Sequence, residues 1–213
     1  MRHYSFLDQF LIEANKALQT VHARPSGTTR ANPASMVTAN ETLSTRNRSN
    51  AGRLMRVNHA GEVAAQGLYQ GQAMTAQNPK IREQMQRSAE EENDHLAWCD
   101  QRIEELGTHR SYLGPFWYFG SYAIGALAGL AGDRWSLGFV RETERQVVKH
   151  LENHLERLPP DDGKSRAILK QMQIDEAHHS HVAQQAGAVE LPSPIKGVMK
   201  LVSRVMTRSA YWI

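Results

Sequence analysis

The chain has 213 residues, a formal net charge of +3 and a mean hydropathy of −0.55, which is the size and polarity of one mostly soluble domain with a real core. Its single cysteine, Cys99, excludes an intramolecular disulfide and a cysteine-ligated zinc or iron–sulfur site, and reads as a small core residue. The first 23 residues include Asp8, Glu13 and Lys16 and no apolar h-region, so no secretory signal is expected.

Residues 5–22 place Phe6, Leu7, Phe10, Leu11, Ala14, Leu18 and Val21 at helical spacing and predict a short amphipathic helix. Residues 24–50 are rich in Ser, Thr, Asn and Arg, with Pro25 and Pro33, and predict a flexible linker. The expected organisation is therefore an N-terminal segment over 1–50 and a domain over 51–213. The body begins near Leu54 with a helix to about Gln77. Asn78-Pro79 supplies an N-cap and a first-turn proline for a second helix over 79–106, which Gly107 ends. A third helix covers 134–158 up to Pro159-Pro160. A fourth starts from a cap at Asp161 or Asp162 and ends near Gly187, and a last helix covers 194–208. No alternating strand pattern competes, so the fold class is all-α.

Two short runs carry the chemistry, Glu92-Asn93-Asp94-His95 and Glu176-Ala177-His178-His179. Each is Glu-x-x-His, and each has a lone glutamate upstream: Glu62 precedes Glu92 by 30 residues and Glu144 precedes Glu176 by 32. The chain is thus an internal repeat of two helix hairpins, with the lone glutamate on the first helix and the Glu-x-x-His on the second. Residues three apart share a helix face, so each pair can point inward together. A four-helix bundle that holds two metal ions in its core uses this set: one Glu from each of two helices and a Glu-x-x-His from each of the other two. The predicted ligands are Glu62, Glu92, His95, Glu144, Glu176 and His179, with Glu92 and Glu176 bridging and Glu62 and Glu144 terminal. Four carboxylates and two imidazoles suit iron or manganese better than zinc or copper. The four carboxylates balance two divalent ions, so their burial is expected only with metal bound; without it some carboxyl pKa values should rise. Asp175 is expected to accept the free N–H of His95 across the bundle, and Glu91 occupies the equivalent place in the other half. His59, His150, His178 and His181 fall outside the pattern and are expected not to be ligands, although His150 is a candidate to line a substrate channel.

Residues 113–132 carry no charge and match a membrane span in length. A single crossing would put the two half-sites on opposite sides of the bilayer. The stretch is therefore predicted to be the long crossover helix of a ferritin-like bundle, about 30 Å in length, with an apolar face free to touch lipid or line a pocket. In the last helix Lys196, Lys200, Arg204 and Arg208 recur every four residues among Ile195, Val198, Met199, Leu201, Val202, Val205 and Met206, with Trp212 following. A basic amphipathic helix of this kind lies on an anionic membrane surface. Nucleic acid is not an expected partner, because the basic residues alternate with aliphatics rather than base-stacking aromatics.

Four motifs together resemble the demethoxyubiquinone hydroxylases of ubiquinone biosynthesis: Arg56-Val57-Asn58-His59-Ala60-Gly61-Glu62, Glu92-x-x-His95-Leu96, Glu142-Thr143-Glu144-Arg145-Gln146-Val147 and Asp175-Glu176-Ala177-His178-His179. The resemblance covers about residues 53–213; Arg2-His3-Tyr4-Ser5 and the 24–50 segment are similar to bacterial members. It implies a ferritin-like di-iron monooxygenase that hydroxylates the ring of 2-polyprenyl-3-methyl-6-methoxy-1,4-benzoquinol with O2, before the last O-methylation. It also implies two iron ions on the six residues above, and a peripheral position on the cytoplasmic side of the bacterial inner membrane. Other proteins of ubiquinone biosynthesis are candidate partners. The two electrons come from outside, from NADH or a reduced quinol, since no Gly-x-Gly-x-x-Gly follows a strand here. An iron-storage ferritin is the leading non-enzyme alternative, opposed by the uncharged crossover and the basic terminus. A rubrerythrin-like peroxidase would bring a Cys-x-x-Cys module. A tRNA-hydroxylating di-iron enzyme predicts RNA on the basic tail, and a purely structural membrane-bound bundle predicts no iron.

Overall fold

Among the described residues seven α-helices build the fold: α1 (Phe6–His22), α2 (Thr45–Thr75), α3 (Pro79–Glu105), α4 (Gly114–Leu130), α5 (Asp133–Arg157), α6 (Gly163–Gln185) and α7 (Ser193–Trp212). A 3-10 turn at Pro33–Met36 precedes α2, and no strand occurs among the described residues. The structure is a computed structural model that describes residues 5–23, 25, 27, 28, 30–37 and 42–213. Arg2, His3 and Tyr4, parts of the 24–50 segment and the side chains of Phe6 and Phe10 lie outside the described residues.

The helix ends follow from their capping residues. Ser5 and Asp8 form a capping box at the start of α1. Asn78 accepts from the Lys80 amide, with Pro79 in the first turn of α3. Asp162, rather than Asp161, accepts from the Ser165 amide at the start of α6. Gly107 and Gly187 follow α3 and α6 with φ of 69° and 100°, the left-handed conformation that closes a helix. α2 begins earlier than predicted, so the expected boundary at 50/51 falls inside a helix. Its first turns are polar and are held by contacts that a hydrophobic pattern cannot show. Ser44 caps Asn47, Arg48 donates to the Glu105 carbonyl, and Asn50 donates to the Arg157 carbonyl. α7 extends about one turn past its predicted end.

α2 with α3 and α5 with α6 form two antiparallel hairpins. α4 runs alongside α2 from the lower end of the bundle to the upper, and so returns the chain to start the second hairpin in the ferritin-like arrangement. Among the described residues no helix is long and apolar enough to cross a membrane. α4 sits unusually close to α2, because Gly67 and Gly71 of α2 meet Tyr118 and Tyr122 of α4 while Gly125 of α4 meets Leu68. A Cβ at Gly71 would stand 2.2 Å from the Tyr122 carbonyl oxygen, and one at Gly125 would stand 2.2 Å from that of Leu68.

The bundle interior is layered. At the lower end Leu54, Met55, Cys99, Ile103, Leu151, Ile168 and Met172 pack as an apolar layer, and Cys99 is a buried core residue as expected. At the upper end Tyr69, Ala73, Met85, Leu137, Val140 and Ala183 form a second. Between the two lie the buried side chains of Glu62, Glu92, His95, Glu144, Glu176 and His179. Outside the bundle, α4 exposes Phe116, Phe119, Leu127 and Leu130. α7 buries Ala210 against α2 and leaves Val198, Leu201, Val205 and Trp212 exposed, with Lys200, Arg204 and Arg208 also at the surface. The 24–50 segment is more closely held than a free linker: Ala34 is buried in the lower layer, and Thr28 and Arg30 bond to α3 and α6.

Candidate metal centre

Glu62 comes from α2, Glu92 and His95 from α3, Glu144 from α5, and Glu176 and His179 from α6. Donor atoms of Glu62, Glu92, His95 and Glu176 all lie within 4.8 Å of one another, so three helices, α2, α3 and α6, bring three carboxylates and one imidazole to one point, with Glu144 and His179 beside it. The contacts cross between the halves. His95 Nδ1 is 3.0 Å from Glu92 Oε2 and 3.2 Å from Glu176 Oε1, with Glu62 Oε2 at 3.7 Å. His179 Nδ1 is 3.4 Å from Glu92 Oε1 and 3.3 Å from Glu176 Oε2. Glu92 and Glu176 therefore each present one oxygen to one histidine and the other oxygen to the other. Glu144 lies against Glu176 and accepts a 2.7 Å hydrogen bond from the Tyr69 hydroxyl.

The outer nitrogen of each histidine is held by an acid from the opposite hairpin. His95 Nε2 donates to Asp175 Oδ2 at 2.9 Å, and His179 Nε2 donates to Glu91 Oε2 at 2.6 Å. The Asp175 contact is the one expected from the sequence, and Glu91 makes its counterpart from the equivalent place in the other half. They fix each ring with Nδ1 toward the carboxylates, as is common for metal-binding histidines.

The charges in the metal-free protein are distributed unevenly. Burial and the neighbouring Glu92 raise the carboxyl of Glu62 well above the usual range. Burial and Glu176 do the same to Glu144. Burial also opposes ionisation of Glu92, yet the charged His95 and bonds from both histidines outweigh it and hold Glu92 well below that range. Glu176 is opposed by burial and by Glu92, but bonds from His179 and His95 keep it low. Burial disfavours both imidazolium ions, but Glu92 and Asp175 raise His95 well above its ordinary value, while Glu176 and Glu91 raise His179. Two carboxylates thus face two imidazolium ions, beside two neutral carboxyls. The raised carboxyls of Glu62 and Glu144 are those expected of buried acids crowded together without metal.

The donor set fits two divalent ions. Glu92 Oε1 is fully buried and makes no well-formed hydrogen bond, its nearest polar contact being the 3.4 Å approach of His179 Nδ1, which leaves it available to a cation. Oxygen donors dominate, which favours hard or borderline cations such as iron or manganese.

The other histidines stay outside the centre. His59 is buried, with Nε2 4.0 Å from Asp100 Oδ1, and burial pulls its pKa down to about 4. His150 lies against His154 with the rings tilted by 55°, and His154 pairs with Asn58 Oδ1 at 2.9 Å. His178 and His181 are exposed. Sequence reading missed three contributors. Tyr69 stands seven residues after Glu62, two turns along the same face, and that spacing could have pointed to it. Trp98 lies against the His95 ring at 5.4 Å, and Arg30 reaches Asp175 from the N-terminal segment. No periodicity marks Arg30.

Residues 49–210 match the family described as Ubiquinone biosynthesis protein COQ7. A protein named 3-demethoxyubiquinol 3-hydroxylase from Nitrosococcus oceani is 61% identical over 212 residues, covering 100% of this chain and 99% of the relative. Proteins of the same name from Polynucleobacter asymbioticus and Acinetobacter baumannii are 54% and 50% identical, each over 213 residues; they cover 98% and 100% of this chain and 100% of each relative.

Proposed function

The chain belongs to the COQ7 family of ubiquinone biosynthesis proteins, and we propose that it is a di-iron monooxygenase. Its substrate is a polyprenylated demethoxyubiquinol (2-polyprenyl-3-methyl-6-methoxy-1,4-benzoquinol), whose ring it hydroxylates with O2. The observation that carries this reading is the crossed pair: Glu92 and Glu176 each span both histidine Nδ1 atoms, so each could serve both halves of the centre. Glu62 with His95, and Glu144 with His179, would hold the ions with them.

Two ferrous ions held by these residues would supply two of the four electrons that reduce O2, the quinol ring supplying the other two, so that one oxygen atom enters the ring and the other leaves as water; an external donor, NADH or a quinol, would restore the two electrons. The protein's own groups set the conditions. Asp175 and Glu91 hold the protons on the outer histidine nitrogens, so that Nδ1 is free as a ligand. Tyr69 orients the Glu144 carboxylate. The apolar layers above and below keep bulk water from the centre and strengthen every charge interaction in it.

A polyprenylated substrate resides in lipid. The exposed apolar rows of α4 and α7, with the basic stripe of α7, support a peripheral position on the cytoplasmic face of the bacterial inner membrane. Residues 51–213 carry every proposed ligand, and residues 1–50 are an attached N-terminal segment.

Deletion of the gene, followed by quinone analysis, tests the reading. The demethoxy precursor should accumulate and be cleared by the wild-type gene but not by Glu176→Ala. Normal ubiquinone in the deletion strain, in an organism with no second enzyme for the reaction, would refute it.

A further inference from the structure

The two halves of the centre are built alike in their ligands but not in what lies outside them. Asp175 Oδ2, which accepts from His95 Nε2 at 2.9 Å, also accepts from Arg30 Nη2 at 2.6 Å. The Arg30 guanidinium lies 5.0 Å over the Trp98 ring, which in turn lies against His95. The backbone just before it is latched to α3: the Thr28 amide and hydroxyl donate to the two oxygens of buried Asp94 at 2.5 and 2.8 Å. At Gly27 a Cβ would stand 3.1 Å from Asp94 Oδ1, so the chain passes there at close contact. In the other half, Glu91 receives His179 Nε2 while its own side chain is 48% exposed. The side chain of Asp175 is 15% exposed and that of His95 is fully buried.

We propose that Gly27, Thr28 and Arg30 form a clasp on the His95 half of the centre, and that Arg30 is a positioning residue that acts on His95 through Asp175. The clasp makes the two metal positions unequal. Arg30 fixes the Asp175 carboxylate in the place where it holds the His95 ring, and Trp98 closes the remaining side. The ion on His95 is therefore held tightly and exchanges slowly. The ion on His179, whose outer acid is open to water, is weaker and exchanges first. Outer hydrogen-bond partners of this kind change metal affinity by about 10- to 100-fold when removed. This inference rests on the two-metal reading above.

The test is anaerobic titration of the full-length metal-free chain with Co(II), following the visible d–d bands. Wild type should bind two ions with resolved affinities. Arg30→Gln should weaken the tighter one by about tenfold or more and shift its band, while the weaker ion keeps its affinity. Arg30→Lys, which keeps the charge but not the forked donor, should recover part of the loss. Glu91→Gln should do the reverse, weakening the second ion alone. Thermal melting of each variant separates these effects from loss of fold, and Thr28→Val, which removes one latch bond without touching Asp175, gives a second route to the same release. Wild type binding fewer than two ions would overturn the metal reading together with the clasp. Two ions bound equally tightly by wild type, or an Arg30→Gln titration that matches wild type or weakens both ions alike, would overturn the clasp alone.

Discussion

Loading the metal-free protein with two ferrous ions at pH 7 is expected to release close to four protons. Before loading, the lowered carboxyls of Glu92 and Glu176 are expected to be ionised and the raised imidazoles of His95 and His179 to be charged, while the raised carboxyls of Glu62 and Glu144 are expected to keep their protons. The cluster then sums to zero charge. After loading, four carboxylates and two neutral imidazoles surround two divalent ions, and the sum is again zero. Two ions have replaced four protons. The sign follows: all four groups have folded pKa values raised above their ordinary ones, so acid favours the proton-filled cluster and alkali favours the metal-filled one. Across the window in which the four protons are held by the metal-free protein, the combined binding constant for two ions should rise about 10,000-fold per pH unit, or about 5 kcal/mol. Calorimetric titration with Fe(II) under argon, in buffers of different ionisation enthalpy, counts the protons directly; Zn(II) provides a redox-silent repeat. Release of two protons or fewer would mean that Glu62 and Glu144 are already ionised in the metal-free chain, and would refute the charge balance.

Tyr69→Phe removes the donor on Glu144, a bond to a charged group worth about 1.5–3 kcal/mol, so turnover should fall at least about tenfold with little change in KM; steady-state quinol hydroxylation measures this, and an unchanged kcat would remove Tyr69 from the centre. Gly71→Ala drives a methyl into the Tyr122 carbonyl, an overpacking cost of about 1–3 kcal/mol. The melting midpoint followed by circular dichroism should drop by roughly 3–10 °C, and an unshifted midpoint would contradict the close approach of α2 and α4. Combined Lys200→Glu, Arg204→Glu and Arg208→Glu should weaken sedimentation with anionic vesicles by roughly 100-fold, at about 1 kcal/mol for each basic residue, and leave neutral vesicles unaffected. Equal loss on both kinds of vesicle would show that the stripe does not read surface charge.

The hairpins and the six inward side chains were legible because helical periodicity and Glu-x-x-His spacing are local properties. Asp175 and Glu91 were legible as well, since each directly precedes a ligand glutamate and the internal repeat says where its partner histidine must be. The start of α2 at Thr45 was not, because Arg46-Asn47-Arg48-Ser49-Asn50 has no apolar face; its order depends on carbonyls at the ends of α3 and α5, distant in sequence. Arg30 escaped for the same reason. A polar segment with two prolines reads as a tether, and only the folded neighbourhood shows that it ends on Asp94 and Asp175. The glycines of α2 and α4 were present in the sequence without a partner to interpret them. Gly67 and Gly71 mark one contact stripe, and Gly125 answers it from the other side.

That glycine contact has a mechanical consequence. Backbones seated this closely leave no side-chain cushion between them, so α2 and α4 move as one rod rather than as two sliding helices. The outer side of the rod carries Phe116, Phe119, Leu127 and Leu130, and its inner side carries Glu62. On the proposed membrane position, a tilt imposed on α4 by lipid would be transmitted to the position of a proposed iron ligand. Docking depth and ligand geometry would then be a single degree of freedom.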